Sequence, residues 1–181
     1  KTEEYFLSVL GVAEVKNAKQ EPEAALPYLD KAEACLDNME TDNYQLRAYL
    51  YNVYGSVSYK LDTPKKALEY YKKSEIYYKK FNGESYDSNR LYQSMNMGII
   101  SAELGYGEEA IATVKNAYDY IIKENGPNNY FANILALSLA KINLELKDYQ
   151  KALKWSEVSL GIYKRNEAVN GNDKIYFEEK K

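Results

Sequence analysis

The sequence predicts an all-α fold built as an array of four repeated antiparallel helix pairs. Three observations predict it. Small residues recur in register at Ala13, Gly55, Gly98 and Ala140, with intervals of 42, 43 and 42 residues. A second row, Ala25, Ala67, Ala110 and Ala152, runs twelve residues behind, and a third, Ala32, Ser74, Ala117 and Ser159, seven residues behind that. Where two helices cross at short distance only Gly, Ala or Ser fits, so rows kept through four copies mark one crossing made four times. The other two observations are the stripes and the stops. Apolar residues in the second half of each copy step by four, three and four, which holds them on one side of a helix. Asn82-Gly83 and Asn125-Gly126 fall in phase with the repeat, where a left-handed C-cap ends a helix.

Taken in order, the first repeat covers about residues 2–40, with helices near 2–18 and 22–39. Its second helix carries the stripe Ala25, Leu29, Ala32, Leu36 and Met39. Pro27 lies inside that helix and either removes one backbone hydrogen bond or marks a later start. The second repeat, 41–83, has a first helix near 41–61 and a turn at Asp62-Thr63. Thr63 is placed to cap the next helix and Pro64 to open it. That helix, 64–81, carries Ala67, Tyr71, Ser74, Tyr78 and Phe81. The third repeat, 84–126, has helices near 85–104 and up to 124 around the turn Gly105-Tyr106-Gly107, with the stripe Ala110, Val114, Ala117 and Ile121. In the fourth, 127–168, Pro127 opens a helix to 146 and Lys147-Asp148 turns into a helix over 149–165, striped by Ala152, Ser156, Ser159 and Tyr163. Residues 172–181 read as the start of the next helix. The next small residue would fall just past the chain end, so the 181 residues are expected to be one domain excised from a larger protein.

Composition limits the chemistry. Apolar residues make up 45% and charged residues 28%, which suits a globular chain, and a net charge of −3 calls for neither nucleic acid nor a membrane surface as partner. No run of apolar residues is long enough to span a bilayer. There is no histidine, which removes His-based nucleophilic catalysis, His metal sites and His pH switching together. The one cysteine, Cys35, excludes an internal disulfide; a cytosolic setting fits, without excluding an extracytoplasmic one. Gly105-x-Gly107 is too short for a phosphate loop. Carboxylate pairs such as Glu3-Glu4 and Glu108-Glu109 sit at helix starts, where the helix dipole explains them. The expectation is no catalytic residue, no cofactor and no metal.

The pattern Tyr51-x-x-Tyr54-Gly55, then Ala67-x-x-x-Tyr71-x-x-Ser74, resembles the tetratricopeptide repeat. Met97-Gly98 with Ala110-x-x-x-Val114-x-x-Ala117, and Leu139-Ala140 with Asp148-Tyr149-x-x-Ala152, fit the same pattern. These repeats are longer than the usual 34 residues, and Ser94 and Ala136 stand where aromatics are common. The 42-residue form is similar to that of kinesin light chains and of bacterial regulators that sense peptides. The resemblance implies a right-handed α-solenoid, a non-catalytic protein- or peptide-binding scaffold, and ligands held against the first helices of the pairs. As an alternative it implies a sensing domain of a bacterial signalling protein or transcriptional regulator.

Carried over by position, the implied groove comprises Leu10, Glu14 and Asn17, then Tyr49, Asn52, Ser56, Tyr59 and Lys60. It continues with Tyr92, Met95, Asn96, Ile99 and Glu103, and with Ile134, Leu137, Ser138, Lys141 and Glu145. Asn52 and Asn96 can grip a peptide backbone through one donor and one acceptor each. Tyr49, Tyr59 and Tyr92 can serve as flat anchors. Six lysines, Lys65, Lys66, Lys72, Lys73, Lys79 and Lys80, form a band opposite the stripe of their helix. It reads as a solubilising outer face; docking of an acidic partner there would be salt-dependent. Cys35 reads as a core or half-exposed thiol. Trp155 reads as packing towards a fifth repeat, with Trp155 and Tyr163 supporting self-association through the C-terminal end.

Overall fold

The structure is a computed structural model that describes the backbone of residues 2–40 and 42–178 and the side chains as far as residue 166. Eight helices are described: α1 (Glu3–Ala18), α2 (Pro22–Asp37), α3 (Tyr44–Lys60), α4 (Pro64–Asn82), α5 (Ser88–Glu103), α6 (Gly107–Asn125), α7 (Tyr130–Glu145) and α8 (Tyr149–Glu178). The chain divides into two compact units, one ending at Gln93 and the other beginning at Ser94, so the division falls within α5. In the first unit α3 packs along α4, α2 and α1; in the second, α7 packs along α8 and α6.

The ends of the helices are set by a motif that repeats with the sequence. The first helix of each pair closes with a residue in the left-handed region: Gln20 at φ 63°, Asp62 at 56°, Gly105 at 84° and Lys147 at 61°. Its amide bonds back to Asn17, Tyr59, Ala102 and Leu144, and the next amide to Lys16, Ser58, Ser101 and Asn143. Two bonds of that pattern are the Schellman closure, which satisfies carbonyls that a helix end leaves orphaned. Glycine stands there only in the third repeat; the other three turns hold an L-residue in a region that costs about 1 kcal/mol or more. The helix starts are polar in turn. Asn43 Oδ1 accepts from Leu46 N at 3.1 Å and Asp87 Oδ1 from Arg90 N at 2.8 Å, so α3 and α5 begin later than the sequence suggested.

The three small-residue rows all lie in the interior. A Cβ on Gly55 would come within 2.7 Å of the Tyr71 ring, and one on Gly98 would strike Val114 and approach Ile142 Cδ1 to 2.9 Å. Around these crossings Phe6, Leu10, Leu29, Leu50, Leu135 and Leu139 are fully buried, each stabilising by roughly 1.5–3 kcal/mol.

Several expectations need correction. Phe81 is exposed rather than on the buried stripe. Tyr77 is already level with Tyr44, the first residue of α3, so one turn further on there is no α3 to pack against. Ser156 and Tyr163 are exposed because the outer side of α8 is uncovered among the described residues. Thr63 does not cap α4; its Oγ1 donates to Ser58 O at 2.7 Å. Helix α2 begins at Pro22 and runs unbroken through Pro27. Helix α8 continues past residue 165 to Glu178, so the expected break before residue 172 is absent; 179–181 lie outside the described residues. Trp155 packs back on Tyr118, edge to face at 5.2 Å, and Cys35 is fully buried.

Candidate functional site

In the first unit the exposed side of α3 borders α1, and several candidate residues are committed to that border. Tyr49 OH donates to Glu14 Oε1 at 2.5 Å, Asn17 Nδ2 donates to Ser56 Oγ at 3.0 Å, and Lys60 Nζ donates to Asn17 O at 2.6 Å. Tyr49, Ser56 and Lys60 thus spend polar groups on the neighbouring repeat. Burial, and then the bond to Glu14 and its charge, push the Tyr49 phenol well above its usual range, so it stays a proton donor. Leu10, Asn17 and Ser138, placed on the ligand side by position, are buried instead. Leu10 belongs to the apolar core, Asn17 lies beneath Ser56 and Lys60, and Ser138 folds back on Ile134 O at 2.8 Å. Asn52 is half-buried, while Tyr59 and Tyr92 are exposed.

In the second unit Met95, Asn96, Ile99 and Ile134 are half-buried, and Glu103, Leu137, Lys141 and Glu145 are exposed. Ile99, Glu103 and Lys141 come together in a pocket of about 260 Å³ between α5 and α7, completed by Ala102, Ile142, Leu144 and Glu145. Its walls are aliphatic and its rim carries two carboxylates and one ammonium. It opens at the last turns of both helices, where the helix dipoles add negative potential. Such a pocket suits an aliphatic side chain or stem next to a positive charge. A second hollow, of about 360 Å³, lies on the other side of Lys141 and Leu144, between α7 and α8.

Sequence reasoning missed a tyrosine stack in the first unit. Tyr54 and Tyr70 stack at 4.7 Å, Tyr51 and Tyr77 at 5.6 Å, and Tyr51 bridges to Tyr70 at 6.2 Å. Lys66 sits over Tyr70, Lys73 over Tyr51 and Tyr70, and Lys80 over Tyr44 and Tyr77, at 5.2–5.7 Å. The lysine band is exposed, as expected, but half of it lies along aromatic faces as cation–π contacts rather than standing in water. Beneath the stack Tyr51 OH donates to Glu33 Oε1 and Tyr54 OH to Asp30 Oδ1, both at 2.8 Å. Burial first, and those carboxylates second, raise both phenols far above their ordinary value. The signal was present in the sequence: Lys66, Lys73 and Lys80 share a seven-residue spacing with Tyr70 and Tyr77.

Among the described residues no group of three or more Cys, Asp or Glu could hold a metal ion, and no helix is long and apolar enough to cross a membrane.

The chain matches no family model and no curated protein. Its fold matches the crystal structure of BtubC (BKLC) from P. vanneervenii, a kinesin light chain-like tetratricopeptide-repeat protein, with a TM-score of 0.77 over 87% of this chain. The two sequences are 15% identical, and this chain spans 61% of the length of that one. The fold is therefore a tetratricopeptide-like helical repeat.

Proposed function

We propose that this chain is a non-catalytic protein- or peptide-binding scaffold that works through the exposed sides of α3, α5 and α7. The observation that carries the reading is the pocket between α5 and α7, where four residues chosen from sequence position alone, Ile99, Glu103, Lys141 and Glu145, line one hollow. Helical-repeat folds act by presenting surface, and the exposed sides here combine aromatic rings, aliphatic groups and an amide with a few charges, among them Lys60, Glu103 and Lys141. Tyr59 and Tyr92 supply exposed rings for a ligand backbone or side chain to rest on. A sensing role in a bacterial regulator would use the same face, and an output domain in the full-length protein would distinguish it.

The test is affinity capture with the isolated chain, followed by titration of the recovered partner. Asn52→Ala with Asn96→Ala, and separately Ile99→Glu, should each weaken binding by roughly tenfold or more. Unchanged affinity in both variants would sink the assignment of this face. We also infer that the C-terminal end is adhesive, because Leu137, Leu144, Leu153, Leu160 and Tyr163 are all exposed on α7 and α8.

A further inference from the structure

One place in the repeat, in the last turn of the first helix of each pair, holds Ala18, Lys60, Glu103 and Glu145 in turn. The negative end of the helix dipole lies there, so a cation is favoured and a carboxylate is not. In the first unit the place is used in that sense. Lys16 and Lys60 stand in the last turns of α1 and α3, and Lys60 Nζ donates to Asn17 O, in the last turn of α1, at 2.6 Å. In the second unit the sign is reversed. Neither α5 nor α7 has a basic residue in its last turn, and their final residues are Glu103 and Glu145. Both glutamates are exposed, and both line the pocket of about 260 Å³.

Two carboxylates and two negative helix ends thus meet at one hollow. Lys141 lines it too, but it brings one positive charge against two negative ones. It also stands four residues before Glu145, the weaker of the two orders for an ion pair along a helix. The rest of the lining is of the opposite kind: Ile99, Ala102, Ile142 and Leu144 have no polar side-chain atom. A bare metal ion does not suit such a site, since among the described residues no group of three or more Cys, Asp or Glu comes together to hold one. A long basic side chain does suit it, because its stem is apolar and only its head is charged. The planar fork of an arginine can in addition face carboxylates on two helices at once.

We propose, resting on the scaffold reading above, that the pocket between α5 and α7 receives an arginine or lysine side chain of a bound peptide. The stem lies against Ile99, Ala102, Ile142 and Leu144, and the cation sits between Glu103 and Glu145. The ligand's charge then does for the ends of α5 and α7 what Lys60 does for the end of α1.

NMR titration of the isotope-labelled 181-residue chain with N-acetyl-arginine methylamide, beside its norleucine and glutamate analogues, tests this. The arginine compound should shift the amides of residues 99–103 and 141–145. The norleucine analogue should bind at least about fivefold more weakly, and the glutamate analogue should leave those amides in place. Glu145→Lys should weaken the arginine response by at least about tenfold, and Lys141→Ala should strengthen it. Both residues are exposed, so the circular dichroism should be unchanged in either variant. Norleucine binding as tightly as arginine, or an arginine response that survives Glu145→Lys, would overturn the choice of a basic side chain and leave a scaffold with an apolar pocket. No shift with any of the three compounds would overturn it as well. The scaffold reading is decided separately, by capture with Asn52→Ala and Asn96→Ala, since neither residue lines this pocket.

Discussion

Arg90, fully buried in the first turn of α5, holds Glu75 of α4 by two hydrogen bonds, 2.7 Å from Nη2 and 3.2 Å from Nε. Its remaining nitrogen, Nη1, donates to Gly83 O at 2.9 Å and Ser85 O at 2.6 Å, and its plane lies 4.3 Å from the Tyr86 ring. Beside it Gln93 is in hydrogen-bond contact with the buried Ser74 hydroxyl and donates to Tyr71 O at 3.3 Å. One arginine therefore straps the turn between the second and third repeats to the helix before it. Arg47, one repeat earlier, holds Asp37 and Asp42 at 3.0 and 2.5 Å, but both aspartates are largely exposed.

The depth of the two arginines predicts different costs. Arg90→Ala takes the cation from Glu75, leaving it only the long 3.5 Å bond from Gln93 Nε2, and should destabilise by about 3–5 kcal/mol. Arg47→Ala breaks a solvent-screened pair and should cost about 1 kcal/mol or less. Arg90→Met together with Glu75→Leu should recover much of the first loss, because no charge is left unpaired. Urea midpoints of the three variants check the ordering.

Gly98→Ala should destabilise by roughly 1–3 kcal/mol, since the new methyl meets Val114 and Ile142 with no room on either side. Adding Val114→Ala opens space on one side, so the double variant should be more stable than the sum of the two single changes predicts. A double-mutant cycle on thermal stability reads this coupling. Additive effects would mean that the crossing is looser than the structure has it.

Alkaline stability follows from the tyrosines. Tyr49, Tyr51, Tyr54 and Tyr78 all ionise less readily than free phenols, because of burial and, in the first three, hydrogen bonds to carboxylates. A group whose folded pKa is raised stabilises the fold fully below its unfolded value, about 10 for tyrosine, and loses that contribution as pH climbs above it. The chain should therefore weaken above about pH 10, with these phenols ionising only on unfolding. Absorbance at the tyrosinate band and ellipticity, followed together, should show a late step shared by both signals. Smooth titration of every tyrosine at constant ellipticity would contradict the buried phenol–carboxylate contacts.

The turn residues predict a gain. Lys147 stands at φ 61° where the third repeat has Gly105. Lys147→Gly relieves the left-handed backbone and should stabilise by about 0.5–1 kcal/mol, whereas Gly105→Val should destabilise by at least about 1 kcal/mol. Both residues are outside the core, so melting temperature reports the backbone term with little packing change.

The repeat length, the small-residue crossings and the glycine stops at Gly83 and Gly126 were legible in the sequence because each recurs, whereas the left-handed Gln20, Asp62 and Lys147 carry no glycine to signal them. Arg90 and Gln93 were not legible. They replace positions held by Arg47 and Leu50 one repeat earlier, and nothing in the spacing says that a charged side chain will be buried. Phe81 misled because helical periodicity gives the side of a helix but not where its neighbour ends. The candidate face was legible by position only. Which of its side chains were already bonded to the preceding repeat, as Tyr49 and Lys60 are, depends on distances between helices that no single-helix pattern contains.

The chain's one tryptophan, Trp155, lies in the second unit against Tyr118, while the stack of Tyr51, Tyr54, Tyr70 and Tyr77 lies in the first. The two units thus carry separate natural chromophores. Indole fluorescence reports the melting of α6 to α8, and the near-ultraviolet dichroism of coupled phenol rings reports the melting of α2 to α4. Followed in one denaturant series, the two signals tell whether this array comes apart as one cooperative body or opens from one end first, without any label being added.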